Sequence, residues 1–367
     1  RMYDDVSRRN PALTYTQNSE GGFYTHYVDN TNPGATNTNN PYGNVAKPRL
    51  TIPTNLAEGS IVEIHNSVNT VSAKYIVTIG TVERPIFVRG FPLLRPLLQG
   101  GIVVKGPYSI WENLRFYNSN FEVRPHNGSN AHHVVLRDSE IFGDGTVGSG
   151  GTAYAWGEAG NEFHDIVFYN NHIHDNGDDE AAIENDKHGT AIGSYVYKVW
   201  ILDNYIHDNG GDSFQAGHGA NYTSHHVFVG RNIMHGDREN AVDIKQTNDV
   251  VISQNTMSNY RGSGSSEGSA IVVHYDPQRI WVLGNIVYDS EIGIITTGST
   301  DTYFIGNVVY NIHHRTTLPY NPLSAYSSGV AMHARNSQVK MIGNTIYDYD
   351  TGIQIPVAKP NTEILNN

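Results

Sequence analysis

Asp243 and Lys245 stand two residues apart in the segment AVDIKQ. On a strand, alternate residues share a face, so this carboxylate and ammonium project together while Val242 and Ile244 point the other way. Removing the proton α to a uronate carboxylate needs a base near that carbon and positive charge to neutralise the enolate. Lys245 is the candidate base. It must be uncharged to act, so its pKa has to be depressed, and a protonated His274 nearby would help. His274 lies in AIVVHY, which aligns with AVDIKQ. The segments TAIGSY, SFQAG, GIITTG and GVAMHA extend the alignment. Together they predict an outward column of Gly217, Lys245, His274, Thr297 and His333, with neighbours about 4.8 Å apart. Gln215, His218, Tyr275 and His333 give that face polar and aromatic groups able to stack on and hydrogen-bond to sugars. An exposed Asp–Lys pair without function is the competing reading, because such pairs are common and weak.

A column of this kind requires strands stacked in register, and the sequence repeats accordingly. From about residue 100 the segments FYNNHI, LDNYI, GRNIM, SQNTM, LGNIV, IGNVV and IGNTI recur. Their asparagines are Asn171, Asn204, Asn232, Asn255, Asn285, Asn307 and Asn344, at intervals of 33, 28, 23, 30, 22 and 37 residues. Val/Ile alternation at this period, without a helical pattern, indicates a β-solenoid. The Asn is expected to occupy the left-handed conformation of a tight corner and to bond to its neighbours along the axis. Tyr288, Tyr310 and Tyr347 are expected to stack on successive coils, with His174 and His207 in the same place earlier. Residues 1–100 read as an N-terminal cap and first irregular coils, with VEIHNS, YIVTIG and IFVRG as strands. Residues 101–367 read as one continuous solenoid domain. Insertions at 175–189, 261–268 and 314–328 flank the candidate face and are expected to wall it.

Composition narrows the function. The chain has 37 glycines and 23 tyrosines, which suits short strands and tight turns rather than helices. It has no cysteine, which excludes disulfides, thiolate metal sites and cysteine nucleophiles. A net charge of -12 gives no overall basic footprint for nucleic acid, and it repels acidic polymers at long range unless a local basic groove or cation intervenes. No apolar run is long enough to span a membrane. The final NTEILNN stops at a ladder position, so an oligomer contact or a further domain is expected at that sheet edge.

The Asn repeat resembles the pectate-lyase-like superfamily of right-handed parallel β-helix proteins, all-β solenoids with an Asn ladder. The AVDIKQ segment resembles the Lys-base polysaccharide lyases, namely the chondroitinase B/alginate lyase family and the family 9 pectate lyases. That resemblance implies a secreted or cell-surface lyase that cleaves a uronate-containing polysaccharide by β-elimination with Lys245 as base. It also implies Ca²⁺ held by acids before the lysine, here Asp212, Glu239 and Asp243. The chondroitinase B/alginate lyase family has an arginine one coil after the lysine. This chain has His274 there, with Arg279 in the following turn as a substitute. VVHYDPQR is similar to the Tyr-x-x-Asp-Pro-His motif of mannuronan epimerases, with Gln278 in place of the His. The stacked aspartates of polygalacturonases are missing from these strands. A non-catalytic glycan-binding β-helix is the alternative from another class.

Overall fold

A computed structural model describes residues 5–66, 75–92, 94–125, 130–145, 150–161, 163–178, 186–217, 223–263, 265–314, 329–335, 337–357 and 359–367. Among these residues nearly all regular structure is short β-strand, and no helix is long and apolar enough to cross a membrane. The chain forms two compact units. One is Arg1–Phe142 with Ala155–His172, and the other is Gly143–Tyr154 with Ile173–Asn367. They are called unit 1 and unit 2 below.

In unit 1 a small antiparallel pair, Thr16–Gln17 and Phe23–Tyr24, precedes three parallel sheets. The longest contains His26–Val28, Ile61–Ile64, Ile86–Gly90, Ser109–Glu112, Ala131–Arg137 and Phe163–Tyr169. Unit 2 also has three parallel sheets, here named A, B and C. Sheet A carries Phe214–Ala216, Val242–Lys245, Ser269–His274, Ile292–Thr297, Val330–Arg335 and Thr351–Gln354. Sheet B includes Asn248–Ser253 and Gln278–Leu283, and sheet C includes Thr256–Ser258 and Ile286–Ser290. Each coil contributes one strand to each sheet, so inward residues pile into rows. In sheet A one row is Phe214, Val242, Ile271, Ile294 and Met332, and all five are fully buried. Removing such a side chain from water contributes roughly 1.5–3 kcal/mol. On the outer face of sheet C, Tyr288, Tyr310 and Tyr347 stack with ring centroids 5.2 and 4.9 Å apart. His174 and His207 stack at 5.2 Å.

The asparagines bond head to tail inside the corner between sheets B and C. The backbone N and Nδ2 of Asn255 both donate to Asn285 Oδ1 at 3.0 Å, and those of Asn285 donate to Asn307 Oδ1 at 3.0 Å. The second Nδ2 proton of Asn285 goes to the Ile252 carbonyl at 2.9 Å. The column runs on through Asn344 to Asn367. The left-handed residue is not the ladder asparagine, as expected above, but the one before it. Asp203, Arg231 and Gln254 have φ of 54°, 56° and 58°, and the later coils use Gly284, Gly306 and Gly343. The asparagine is needed for its amide, and the corner strain is moved one residue upstream, where side-chain identity varies.

A second buried column lies one corner further on. Asn176 Nδ2 donates to Asn209 Oδ1 at 2.9 Å, and Asn209 Nδ2 donates to Asp237 Oδ1 at 2.7 Å. Asp237 thus ends the amide column with a carboxyl, which also receives Ser213 Oγ and, at 3.3 Å, the Tyr260 hydroxyl. Burial pushes its pKa up to about 7, against the lowering effect of the Ser213 and Asn209 bonds.

Two stability outcomes follow from these columns. Asn285→Ala strands the Asn255 amide and the Ile252 carbonyl in the interior and should cost about 2–4 kcal/mol in urea unfolding, whereas Tyr347→Ala on the surface should cost under about 1 kcal/mol. Asp237 has a raised folded pKa, so its contribution is complete below its ordinary pKa of 3.8 and is lost as pH rises through about 7. Asp237→Asn should therefore raise the thermal midpoint relative to wild type at pH 8, with the difference shrinking towards pH 4. A pH-independent difference would contradict this.

Candidate active site

The outward residues of sheet A form two rows. Lys245 pairs in register with His274, His274 with Thr297, and Thr297 with Arg335. Gln215 pairs with Asp243, Asp243 with Val272, Val272 with Ile295, and Ile295 with His333. His333 is therefore not in the lysine column; Arg335 holds that place. Aligning GIITTG with GVAMHA sets Gly329 against Gly293, but the two glycines do different things. Gly329, at φ 83°, lies before its strand. Gly293 lies within its strand, where a Cβ would meet the Ala331 carbonyl at 2.3 Å. His333 is buried, and neither ring nitrogen has a hydrogen-bond partner among the described residues. Burial lowers its pKa to about 4, with Arg335 adding to the effect.

Asp243 faces outward as expected, yet it is almost fully buried beneath its neighbours. Its Oδ2 lies 3.1 Å from Lys245 Nζ and its Oδ1 lies 2.7 Å from His274 Nε2. Burial alone would raise the Asp243 pKa, but the His274 bond and charge and the Lys245 ammonium outweigh burial and lower it. For Lys245, burial favours the neutral amine, but Asp243, Asp212 and Glu239 together raise its pKa. The ammonium is thus held charged, the opposite of the depression that a lysine base requires.

Beside this triad lies a buried group that the sequence only half disclosed. Single ligating atoms of His188, Asp212 and Glu239 lie within 4.8 Å of one another, and all three residues are buried. Asp212 Oδ1 accepts from Asn240 N and Nδ2 at 3.0 and 2.8 Å. Its Oδ2 accepts from Gln215 Nε2 at 3.0 Å and lies 3.2 Å from His188 Nδ1. Glu239 bonds to Ser265 Oγ and lies 3.4 Å from Arg238 Nη1. Burial, then the negative charges of Asp212 and Asp186, push Glu239 up to about 8. His188 is opposed by burial, but Asp212, Glu239 and Asp186 raise its pKa. The 261–268 insertion does reach this face. Ser265 contacts Glu239, Ser266 Oγ donates to Asn240 Oδ1 at 2.9 Å, and Glu267 pairs with Arg335 at 3.3 Å.

Stacked strands, the buried amide column and a polar face on one sheet match a known family. The right-handed β-helix region matches residues 99–309 and 222–367. The chain belongs to the right-handed parallel β-helix family. No curated protein matches it in sequence. Among solved structures it is similar to the A-module of the Azotobacter vinelandii mannuronan C-5 epimerase AlgE6. That match has TM-score 0.56 and 14% identity, covering 84% of this chain and 90% of the module. The AlgE4 A-module from the same organism has TM-score 0.54 and 14% identity, covering 83% and 90%. A mannuronic acid-specific family 6 polysaccharide lyase from human gut microbiota has TM-score 0.51 and 15% identity, covering 84% and 74%. At these identities the likeness is one of fold.

The remaining expected residues divide by location. Tyr275 stacks on His274 with ring centroids 4.2 Å apart and is 55% exposed. Arg279 belongs to sheet B, where Nε and Nη2 bond the Asp249 carboxylate at 2.6 and 2.9 Å. Tyr275 and Asp276, at φ 66° and 60°, turn the chain out of sheet A before Arg279 is reached. His218 and the insertion residues 179–185, 264 and 315–328 lie outside the described residues. For calcium, Asp212 and Glu239 do converge, but with an imidazole rather than with Asp243, which is taken by Lys245 and His274. Two carboxylates, one already accepting from Asn240 and Gln215, fall short of the six to eight oxygens that Ca²⁺ requires. The described side chains at this point do not fit a resident Ca²⁺. Millimolar Ca²⁺ should accordingly leave the thermal midpoint of the chelator-treated protein unchanged, and a chelator-reversible rise would contradict that.

Proposed function

We propose that unit 2 cleaves a uronate-containing polysaccharide by β-elimination on the outer face of sheet A. The observation that carries this reading is the buried Asp243 carboxylate, which holds the Lys245 ammonium through one oxygen and the His274 ring through the other. An ionised Asp243 must accept from Nε2–H, which leaves Nδ1 as the acceptor of the uncharged imidazole. Histidine is the side chain suited to such a task near neutral pH. His274 Nδ1 takes the C5 proton, and the charged Lys245 meets the substrate carboxylate as the enolate forms. The electrons of the C5–H bond make the C4–C5 double bond, and the bond from C4 to the glycosidic oxygen breaks. A proton from Tyr275 or water completes the departure. Gln215 and Tyr275 bind sugar, and Arg335, in the Lys245–His274 row, exchanges its Glu267 partner for a carboxylate of the acidic polymer. Lys245 as base is the other allocation of roles on the same atoms. A polymer substrate of this kind suits an enzyme that works outside the cell.

The fold neighbours support a mannuronate polymer as the first substrate to try. They also support a second reading, C5 epimerisation, which shares the proton abstraction and differs in returning a proton to the opposite face. The test is the ultraviolet absorbance of unsaturated uronate ends on mannuronate-rich alginate. His274→Ala should lower kcat by about 10²–10⁴-fold. Lys245→Arg keeps the charge but cannot give up its proton, and it should retain more activity than Lys245→Ala. An inactive Lys245→Arg beside an active His274→Ala would return the base to Lys245. Solvent deuterium at C5 without unsaturated ends would make the protein an epimerase. Binding with neither product would make it a glycan-binding protein.

A further inference from the structure

Unit 1 carries a separate grid of ligating side chains that the proposed reaction does not use. His132 and His133 follow the first residue of one strand of its longest sheet, and His164 and Asp165 follow the first residue of the next. His132 pairs in register with His164, so His133 and Asp165 occupy the following position on adjacent coils. Both of these are left-handed, at φ 55° and 53°, which turns their side chains toward the paired imidazoles. His132 and His164 stack with centroids 4.9 Å apart and planes within 2°. Tyr108 on the preceding coil stacks on His133 at 4.5 Å.

The atoms converge. His164 Nδ1 lies 2.5 Å from Asp165 Oδ2, and His133 Nε2 lies 3.8 Å from the same oxygen. One ligating atom each from His133, His164 and Asp165 falls within a 4.8 Å circle. A tetrahedral ion with bonds of about 2.0–2.1 Å needs donors about 3.3 Å apart, so small side-chain rotations suffice. His133 Nδ1 lies 2.8 Å from His132 Nδ1, which orients the ring from behind as outer partners of ligating histidines do. Two imidazoles and a carboxylate suit zinc rather than calcium or magnesium.

Unit 2 supplies an internal comparison. The pair His225–His226 and Asn248–Asp249 repeat the histidine pair and its neighbour on successive strands, with Tyr197 beside His225 where unit 1 sets Tyr108 against His133. His225 Nδ1 and His226 Nδ1 are 2.6 Å apart, and Tyr197 stacks on His225 at 5.2 Å. There the second imidazole is replaced by Asn248, and the carboxylate of Asp249 is taken by Arg279. The unit 1 grid has both the second imidazole, His164, and the carboxylate of Asp165, which lies against His164 and His133.

We propose that His133, His164 and Asp165 bind a Zn²⁺ ion, with water in the fourth position and His132 as positioning residue, so that the ion ties together the two coils that supply them. The test uses the full chain, stripped with chelator and titrated with ZnCl₂ alone by calorimetry, with bound metal measured after gel filtration. Zinc should bind at this grid and raise the thermal midpoint, and Co²⁺ should show the visible absorption of a four-coordinate site. Asp165→Asn, close to isosteric, and His164→Ala should each weaken binding at least about tenfold. His226→Ala should leave it unchanged, and so should His188→Ala, which removes the imidazole of the buried group in unit 2. Circular dichroism checks that each variant is folded. Absence of zinc binding, zinc lost with His188→Ala but kept in Asp165→Asn, or equal binding by every variant would overturn the proposal.

Discussion

Register is the constraint on which the rest of unit 2 depends. A parallel stack with hydrophobic rows inside could slide by two residues and still keep apolar side chains inward. The buried asparagine amides remove that freedom. Asn285 shows the pattern: its Oδ1 takes two donors from the preceding coil, and its Nδ2 reaches both a strand-end carbonyl of that same coil and the Oδ1 of the next asparagine, so a shifted coil would leave several buried polar groups unpaired. The ladder sits between sheets B and C, but it fixes sheet A too, because each coil is covalently continuous. Lys245 stands beside His274 because Asn255 is bonded to Asn285.

That registration lets charges sit where they would otherwise be too costly. Asp243, Asp212 and Glu239 are all buried within one region of sheet A. An isolated buried carboxylate would be driven neutral, and Glu239, with its pKa of about 8, goes part of that way. Asp243 does not, because two partners reach it from its own strand and from the next coil. The same carboxylates keep Lys245 charged. One electrostatic arrangement therefore gives a fixed cation, an oriented imidazole and a sink of negative charge behind them, which is what an incoming carboxylate and a departing C5 proton require.

Much of this was legible in the residues. The asparagine intervals disclosed the coils, and the pairing of Lys245 with His274 followed from aligning AVDIKQ with AIVVHY. What failed had local physical causes. His333 was misplaced because glycine marks a corner at Gly329 and a close backbone approach at Gly293, and the letter is the same for both. Arg279 was assigned to the site because nothing in its identity shows that Tyr275 and Asp276 both adopt left-handed conformations and carry the chain onto another sheet. His188 was missed because its strand, Lys187–Ile192, begins before the TAIGSY segment that the alternation revealed. The burial of Asp243 and the raised pKa of Lys245 depend on neighbours from other coils, which no single segment displays.

The most direct test of the account is a crystal structure of His274→Ala soaked with a mannuronate oligosaccharide. The expected result is a sugar carboxylate within hydrogen-bond distance of Lys245 Nζ, with C5 facing the space left by the imidazole and the chain running along the sheet A face past Arg335. A saccharide seated instead on the stacked tyrosines of sheet C, with Lys245 still bonded only to Asp243, would contradict it.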